Sequence, residues 1–153
     1  MSTTATQSTH EHPQPTALRQ ENSGEKFISQ SLLIRRITVG LSLAVVGAIH
    51  ILDLPGKFAE TPYLAVAYIG VIVVAAVLVE RILVIGSRND FLAAAILSAA
   101  VIIGFIVNRT IGMPMATGDI GNWFEPLGLL SLAVEGFVIW QALIAVALHR
   151  TRR

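Results

Sequence analysis

The chain has 153 residues, 54% hydrophobic and only 14% charged, with a formal net charge of +1 and no cysteine. That balance is far more apolar than a soluble domain's and points to a membrane, while the absence of a basic stripe interleaved with aromatics leaves nucleic acid no electrostatic footprint. Without cysteine the chain supplies no disulfide, thiolate nucleophile, cysteine-ligated iron–sulfur cluster or thioether-attached haem.

Residues 1–29 are rich in Ser, Thr, Gln, Glu and Pro and nearly devoid of apolar periodicity. Such a segment buries too little surface to offset its ordering entropy, so a disordered polar tail is expected there. It has no signal-peptide core, and no small-residue cleavage pattern follows the first apolar run, so that run is expected to remain as an anchor.

Four apolar runs follow, Ile37–Leu54, Tyr63–Gly86, Phe91–Asn108 and Leu127–Leu148. About 18 helical residues cover roughly 27 Å, close to the hydrocarbon thickness of a bilayer. A soluble bundle would show a polar stripe on each helix, and these runs are apolar nearly all round. The expected fold is all-α, an integral membrane four-helix bundle over residues 30–149 with a short basic end at 150–153. Small residues, Gly40, Ala44 and Gly47 on the first run and Ala95, Ser98 and Ala99 on the third, read as packing positions inside the bundle in preference to a dimer seam.

Basic residues set the orientation. Lys26, Arg35 and Arg36 precede the first run, Arg81 and Arg88 flank the turn between the second and third, and Arg150, Arg152 and Arg153 follow the fourth. The opposite side carries only Lys57 and Arg109, so the positive-inside rule puts both termini in the cytoplasm and the other two connections outside. On the cytoplasmic side, Arg81 is expected to reach the headgroups and Glu80 to meet Arg35 or Arg36.

The outer connections concentrate the chemistry. In HILDLPGKFAETPY, His50 and Asp53 are three apart and share a helix face. In RTIGMPMATGDIGNWFEPLG, the glycines and Pro114 break the helix, so the segment is expected to fold over the bundle mouth as a lid. Asp119, Asn122 and Trp123 have sufficient local reasons to be there, as turn, cap or interface residues, and Pro126 suits a helix's first turn. Glu135 lies about eight residues, roughly 12 Å, inside the fourth run, where an ionised carboxylate facing lipid would be costly. It is therefore expected to face the interior, be protonated, or have a cationic or hydrogen-bonding partner, Arg109 first and His50 second, with Ser131 one turn away as a local donor. Such a pair is either a clasp that fixes helix register or part of a ligand, proton or ion site.

Metal-binding patterns are thin. His10 and His12 make a two-residue site in the tail, His149 stands a membrane thickness from His50, and Met113 with Met115 offers soft thioethers that would suit Cu(I) beside His50. None of these defines a closed ligand set, and no cofactor is identified. Dinucleotide, Walker, HExxH and GxSxG patterns are absent.

The succession AIHILDLPGKFAETPYL and NRTIGMPMATGDIGNWFEPLGLLSLAVEG, covering Ala48 to Gly136, resembles a group of small four-span membrane proteins common in actinobacteria for which no activity is established. The resemblance rests on His50, RTIGMP, NWFEPLG and Glu135, and it implies a bundle in a bacterial plasma (inner) membrane. The stretch RRITVGLSLAVVGAIH also loosely resembles DoxX-type four-span proteins.

The leading expectation is a non-enzymatic membrane protein whose outward pocket, formed by His50, Asp53, Arg109, Glu125 and Glu135, takes a small ligand, lipid headgroup, ion or partner subunit. A membrane enzyme or redox module using His50 and Glu135 as acid and base, or a structural subunit of a larger membrane complex, are the alternatives.

Overall fold

The computed structural model describes the backbone of residues 15–151 and the side chains of residues 23–151. Four helices succeed one another, α1 (Pro15–Glu60), α2 (Pro62–Val84), α3 (Arg88–Thr110) and α4 (Pro126–Thr151), with a single 3-10 turn at Thr117–Asp119 between the last two. Each carries a stretch long and apolar enough to cross a membrane. Large apolar side chains such as Leu41, Val66, Ile96, Ile103 and Trp140 point outward, as a lipid-facing surface requires and a water-facing one would not tolerate. The chain is an all-α, multi-pass integral membrane four-helix bundle.

Local sequence explains where the helices begin. Pro62 and Pro126 occupy first-turn positions, where a missing N–H costs nothing. α3 opens on a capping box: the Ser87 hydroxyl accepts from the Asp90 N–H, and the Asp90 carboxylate accepts from the Ser87 N–H at 3.0 Å. Asp90 also takes Arg81 as an ion-pair partner at 2.7 Å, tying the end of α2 to the start of α3. The Arg81 side chain is held through its Nε by Asp90 and remains half-exposed. Glu80 is not paired with either nearby arginine: Arg35 donates to the Gln141 side chain, and Arg36 donates to the Ile82 and Leu83 carbonyls.

α1 is longer than expected at both ends. Residues 15–29, expected to be disordered, are helical in α1, while residues 1–14 lie outside the described residues, as do Arg152 and Arg153. At the other end the helix runs through Pro55 to Glu60. Proline removes one helical hydrogen bond, but packed neighbours in a membrane bundle make that loss tolerable. His50 therefore stands ten residues, roughly 15 Å, from the end of its helix, deeper than a span ending at Leu54 implies.

The bundle is filled at one end and hollow at the other. Val39, Leu43, Ile82, Phe91, Val138 and Ala142 close-pack in the half nearer the described termini, the terminal half. Gly40 belongs to this packing, since a Cβ there would stand 2.9 Å from Leu83 of α2. α1 packs on α2 and α4, and α3 on α4, whereas the α2–α3 seam is the loosest of the four. Toward the α1–α2 and α3–α4 connections, the distal end, a cavity takes the place of that contact.

The α2–α3 turn depends on Gly86, whose φ of +63° is left-handed and whose absent Cβ would lie 2.6 Å from the Arg36 side chain. Gly86→Ala is expected to lower stability by about 1–2 kcal/mol from the backbone alone, read as a lower thermal midpoint in mild detergent. An unchanged midpoint would show that the turn does not hold this conformation.

Candidate functional site

Small side chains on three helices make the cavity possible. Ala67 of α2, Ala100 and Gly104 of α3 and Gly128 of α4 all line it, where larger residues would have closed the bundle. The space measures about 250 Å³ and is walled mainly by apolar groups, among them Val71, Leu97, Val101, Phe105 and Leu132. Into it project all five residues singled out from the sequence, His50 and Asp53 from α1, Arg109 from α3, Glu125 from the loop and Glu135 from α4. Lys57, Tyr68, Asn108 and Met113 line it as well.

A network of charges gathers at the distal end of the cavity. Arg109 is 3% exposed, and its guanidinium pairs with Asp119 at 2.7 Å and with the Glu125 carboxylate, while also donating to the Asp119 carbonyl at 3.2 Å. It lies 5.0 Å from the centre of the Phe105 ring, a cation–π contact. Asp119 is the common acceptor: the Asn108 amide donates to it at 2.8 Å, and the buried Lys57 ammonium approaches to 3.6 Å. Glu60 supplies a second carboxylate to Lys57 at 3.8 Å. The Tyr63 hydroxyl donates to the Pro114 carbonyl at 2.6 Å, and the Gly121 N–H to the Arg109 carbonyl at 2.9 Å. Residues 111–125 are thereby drawn over the mouth from α1, α2 and α3 at once.

Asp119 thus does more than make a turn, the local role expected for it. Burial alone would raise its pKa, but the hydrogen bonds from Asn108 and Arg109 and the charges of Lys57 and Arg109 outweigh burial and hold it below the ordinary 3.8. Trp123 stands edge-on to Phe105 with ring centres 6.2 Å apart.

Beneath the lid the partners differ from those expected. Glu135 is fully buried, and its Oε1 accepts from the Ser131 hydroxyl at 2.8 Å, as the one-turn spacing predicts. Neither Arg109 nor His50 joins it. Arg109 is taken by Asp119 and Glu125, which reach it from the lid, and His50 turns its Nδ1 to the Val46 carbonyl at 2.9 Å. The Glu135 Oε2 has no partner among the described residues. The expected Arg109–Glu135 or His50–Glu135 clasp is therefore replaced by an Arg109–Asp119–Glu125 clasp above and an unpaired carboxyl below.

A carbonyl cannot donate, so the His50 Nδ1 carries the hydrogen and, in the neutral ring, Nε2 is left as the acceptor. The His50 ring stands edge-on to Tyr68 at 4.8 Å, and the Tyr68 hydroxyl lies beside the Asp53 carboxylate. Neither Asp53 nor Glu135 has a cation among the described residues. The two thioethers do not converge: Met113 lines the cavity, whereas Met115 is 79% exposed. No three His, Asp or Glu side chains among the described residues share metal-ligand spacing.

Lys57, Tyr68 and Asn108 were missed by sequence reasoning. Lys57 lies beyond a Pro-Gly pair that reads as a helix stop, and Tyr68 and Asn108 sit at the flanks of apolar runs where they pass for interface residues. A continuous helix through Pro55 supplies the signal for Lys57, which falls seven residues after His50 on the same face.

No protein-family model matches this chain, and neither a curated protein nor a solved structure does.

Removing Arg109 strands two carboxylates in a half-buried network, so Arg109→Ala is expected to cost about 3 kcal/mol and to raise hydrogen exchange across residues 111–125. Equal exchange in the two proteins would show that the guanidinium does not hold the lid. Because the folded Asp119 value lies below its ordinary 3.8, its contribution is complete above that pH and is lost as the pH falls through the folded value. Lid exchange should therefore rise only below about pH 3.8, and Asp119→Asn should abolish that rise. A transition near neutral pH would contradict the assignment.

Proposed function

We propose that this protein binds a small molecule in the distal cavity, as a multi-pass protein of a bacterial plasma membrane. The arginine and lysine distribution supports cytoplasmic termini and an outward-facing cavity mouth, with residues 111–125 as its cover. Resemblance over Ala48–Gly136 supports a place in the actinobacterial four-span group. The bilayer is the first partner, and a small ligand is the second.

One observation carries the assignment: Glu135 is fully buried, its Oε2 is unpartnered, and the residue lines the wall of the apolar cavity. An unsatisfied buried acceptor costs about 1–3 kcal/mol, and more when charged, so a chain that retains one gains from whatever completes it. Compact ligand sites have this composition, apolar walls with a few convergent polar groups. The polar groups face inward, which favours a bound molecule over a docked subunit. The enzyme alternative draws no support from a pairing of His50 with Glu135, since each makes its hydrogen bond elsewhere.

Gly104 lines the cavity and a Cβ there would meet nothing within 4 Å, so Gly104→Phe places a ring in the space while every polar residue is kept. Protein extracted from its native membrane in mild detergent should carry a small molecule in native mass spectra, and Gly104→Phe should carry none while keeping its helical content and thermal midpoint. A wild-type protein free of any small molecule, or equal occupancy in the two, would overturn the proposal.

A further inference from the structure

Resting on the assignment of the cavity as a ligand site, we infer that its ligand is a compact protonated amine with an apolar body, for which Glu135 is the counter-ion. The inference follows from which hydrogen-bonding valences remain free. Both cations at the mouth are committed, Arg109 to Asp119 and Glu125, and Lys57 to Asp119 and Glu60. What remains is mostly acceptors. The Glu135 Oε2 and the Asn108 Oδ1 are both buried without a partner. The amide orientation of Asn108 is fixed by chemistry, because the Asp119 carboxylate it meets at 2.8 Å only accepts, so the nitrogen must face Asp119 and the oxygen must face away. His50 spends its N–H on the Val46 carbonyl and leaves Nε2 as an acceptor in the neutral ring, and Asp53 has no cation. Against these stand the unpartnered Arg109 Nε and the Lys57 ammonium, whose two carboxylates lie at 3.6 and 3.8 Å, within ion-pair but beyond hydrogen-bond distance.

An anion entering this space would meet two carboxyls that have no cation, while both cations it could approach, Arg109 and Lys57, already stand beside two carboxylates each. A neutral acceptor-rich molecule would fare little better. A quaternary ammonium would balance the charge but leave the acceptors unsatisfied, since it has no N–H. An inorganic cation would need a closed oxygen cage, and no three carboxylate or imidazole groups converge among the described residues. An alkylammonium or arylalkylammonium matches both demands: N–H donors for Glu135 and the neighbouring acceptors, and a hydrocarbon body for Val71, Leu97, Val101 and Leu132. The Tyr68 ring adds an aromatic face of the kind that attracts ammonium groups. At about 250 Å³ the cavity falls below the usual range for drug-sized sites, which limits the body to a single ring or a short branched chain.

The test is a set of matched probes titrated by calorimetry into wild-type protein in mild detergent at neutral pH: 2-phenylethylamine, cyclohexylmethylamine and isoamylamine, each beside its alcohol, with phenylacetate and phenyltrimethylammonium as anionic and quaternary controls. At least one amine is expected to bind tenfold or more tightly than its alcohol and than either control, and Glu135→Gln is expected to remove that preference. Selectivity of the wild type stands without any variant, should Glu135→Gln fail to fold. An alcohol or phenylacetate that binds as tightly as the amines overturns the amine inference and leaves the cavity assignment standing, as does a co-purifying ligand with no basic nitrogen. Amine preference that survives Glu135→Gln overturns the counter-ion role. Absence of binding by every probe, together with absence of any co-purifying molecule, overturns the inference and the cavity assignment together.

Discussion

A guanidinium buried among apolar helices has to be neutralised within reach of its own side chain, and the neutralisation of Arg109 organises the distal half of this bundle. Its two carboxylates come from different places, Asp119 from the 3-10 turn and Glu125 from the residue before α4. Satisfying both pulls the whole α3–α4 connection down onto the helix ends. Asp119 is then within range of Lys57, which is present at that height only because α1 continues past Pro55. The lid is thus an electrostatic consequence of one buried charge. Its cations stand beside carboxylates of the lid and of α1, and neither is within ion-pair distance of the acids below.

The rest of the molecule makes that arrangement affordable. Cavities are destabilising because their walls lose packing contacts. Here the loss is confined to one half, while Val39, Leu43, Ile82, Phe91 and Val138, none of them exposed, form a dense core in the other. The turn at Gly86, with the capping box and the Arg81–Asp90 pair, holds α2 and α3 together at the terminal end. Beyond it, Ala67 of α2 and Ala100 and Gly104 of α3 leave the two helices with too little side-chain volume to fill the gap between them. The hollow is written into residue size, and it follows directly from the choice of small side chains at helical spacing.

Much of this was legible in the chain. Run length and hydropathy are bulk properties, and they located the four spans closely. Spacing along a helix is rigid, so the Ser131–Glu135 hydrogen bond and the shared face of His50 and Asp53 could be read directly. Convergence of His50, Asp53, Arg109, Glu125 and Glu135 on one space followed from placing them at the same end of the bundle. Pairing was not legible. Which carboxylate Arg109 takes depends on how a fifteen-residue connection, 111–125, folds back, and that path is set by competition among Asp119, Glu125 and Glu135 at distances the sequence does not contain. Pro55 misled for a related reason: in water Pro-Gly ends helices, whereas a packed apolar surround keeps the backbone helical through it.

That misplaced pairing changes what Glu135 means. A carboxyl locked to Arg109 would have been a register clasp, complete in itself and indifferent to any other molecule. The clasp exists, but the lid supplies both of its acids, and Glu135 is left with a single neutral donor, Ser131, and a second oxygen without a partner. A purely structural carboxyl in an apolar bundle would be better replaced by a hydrophobic residue of similar volume, because burial without a partner brings only cost. Holding it under a lid that spends every nearby cation elsewhere keeps the site acidic and open, and those are the properties a binding site for a positively charged molecule needs.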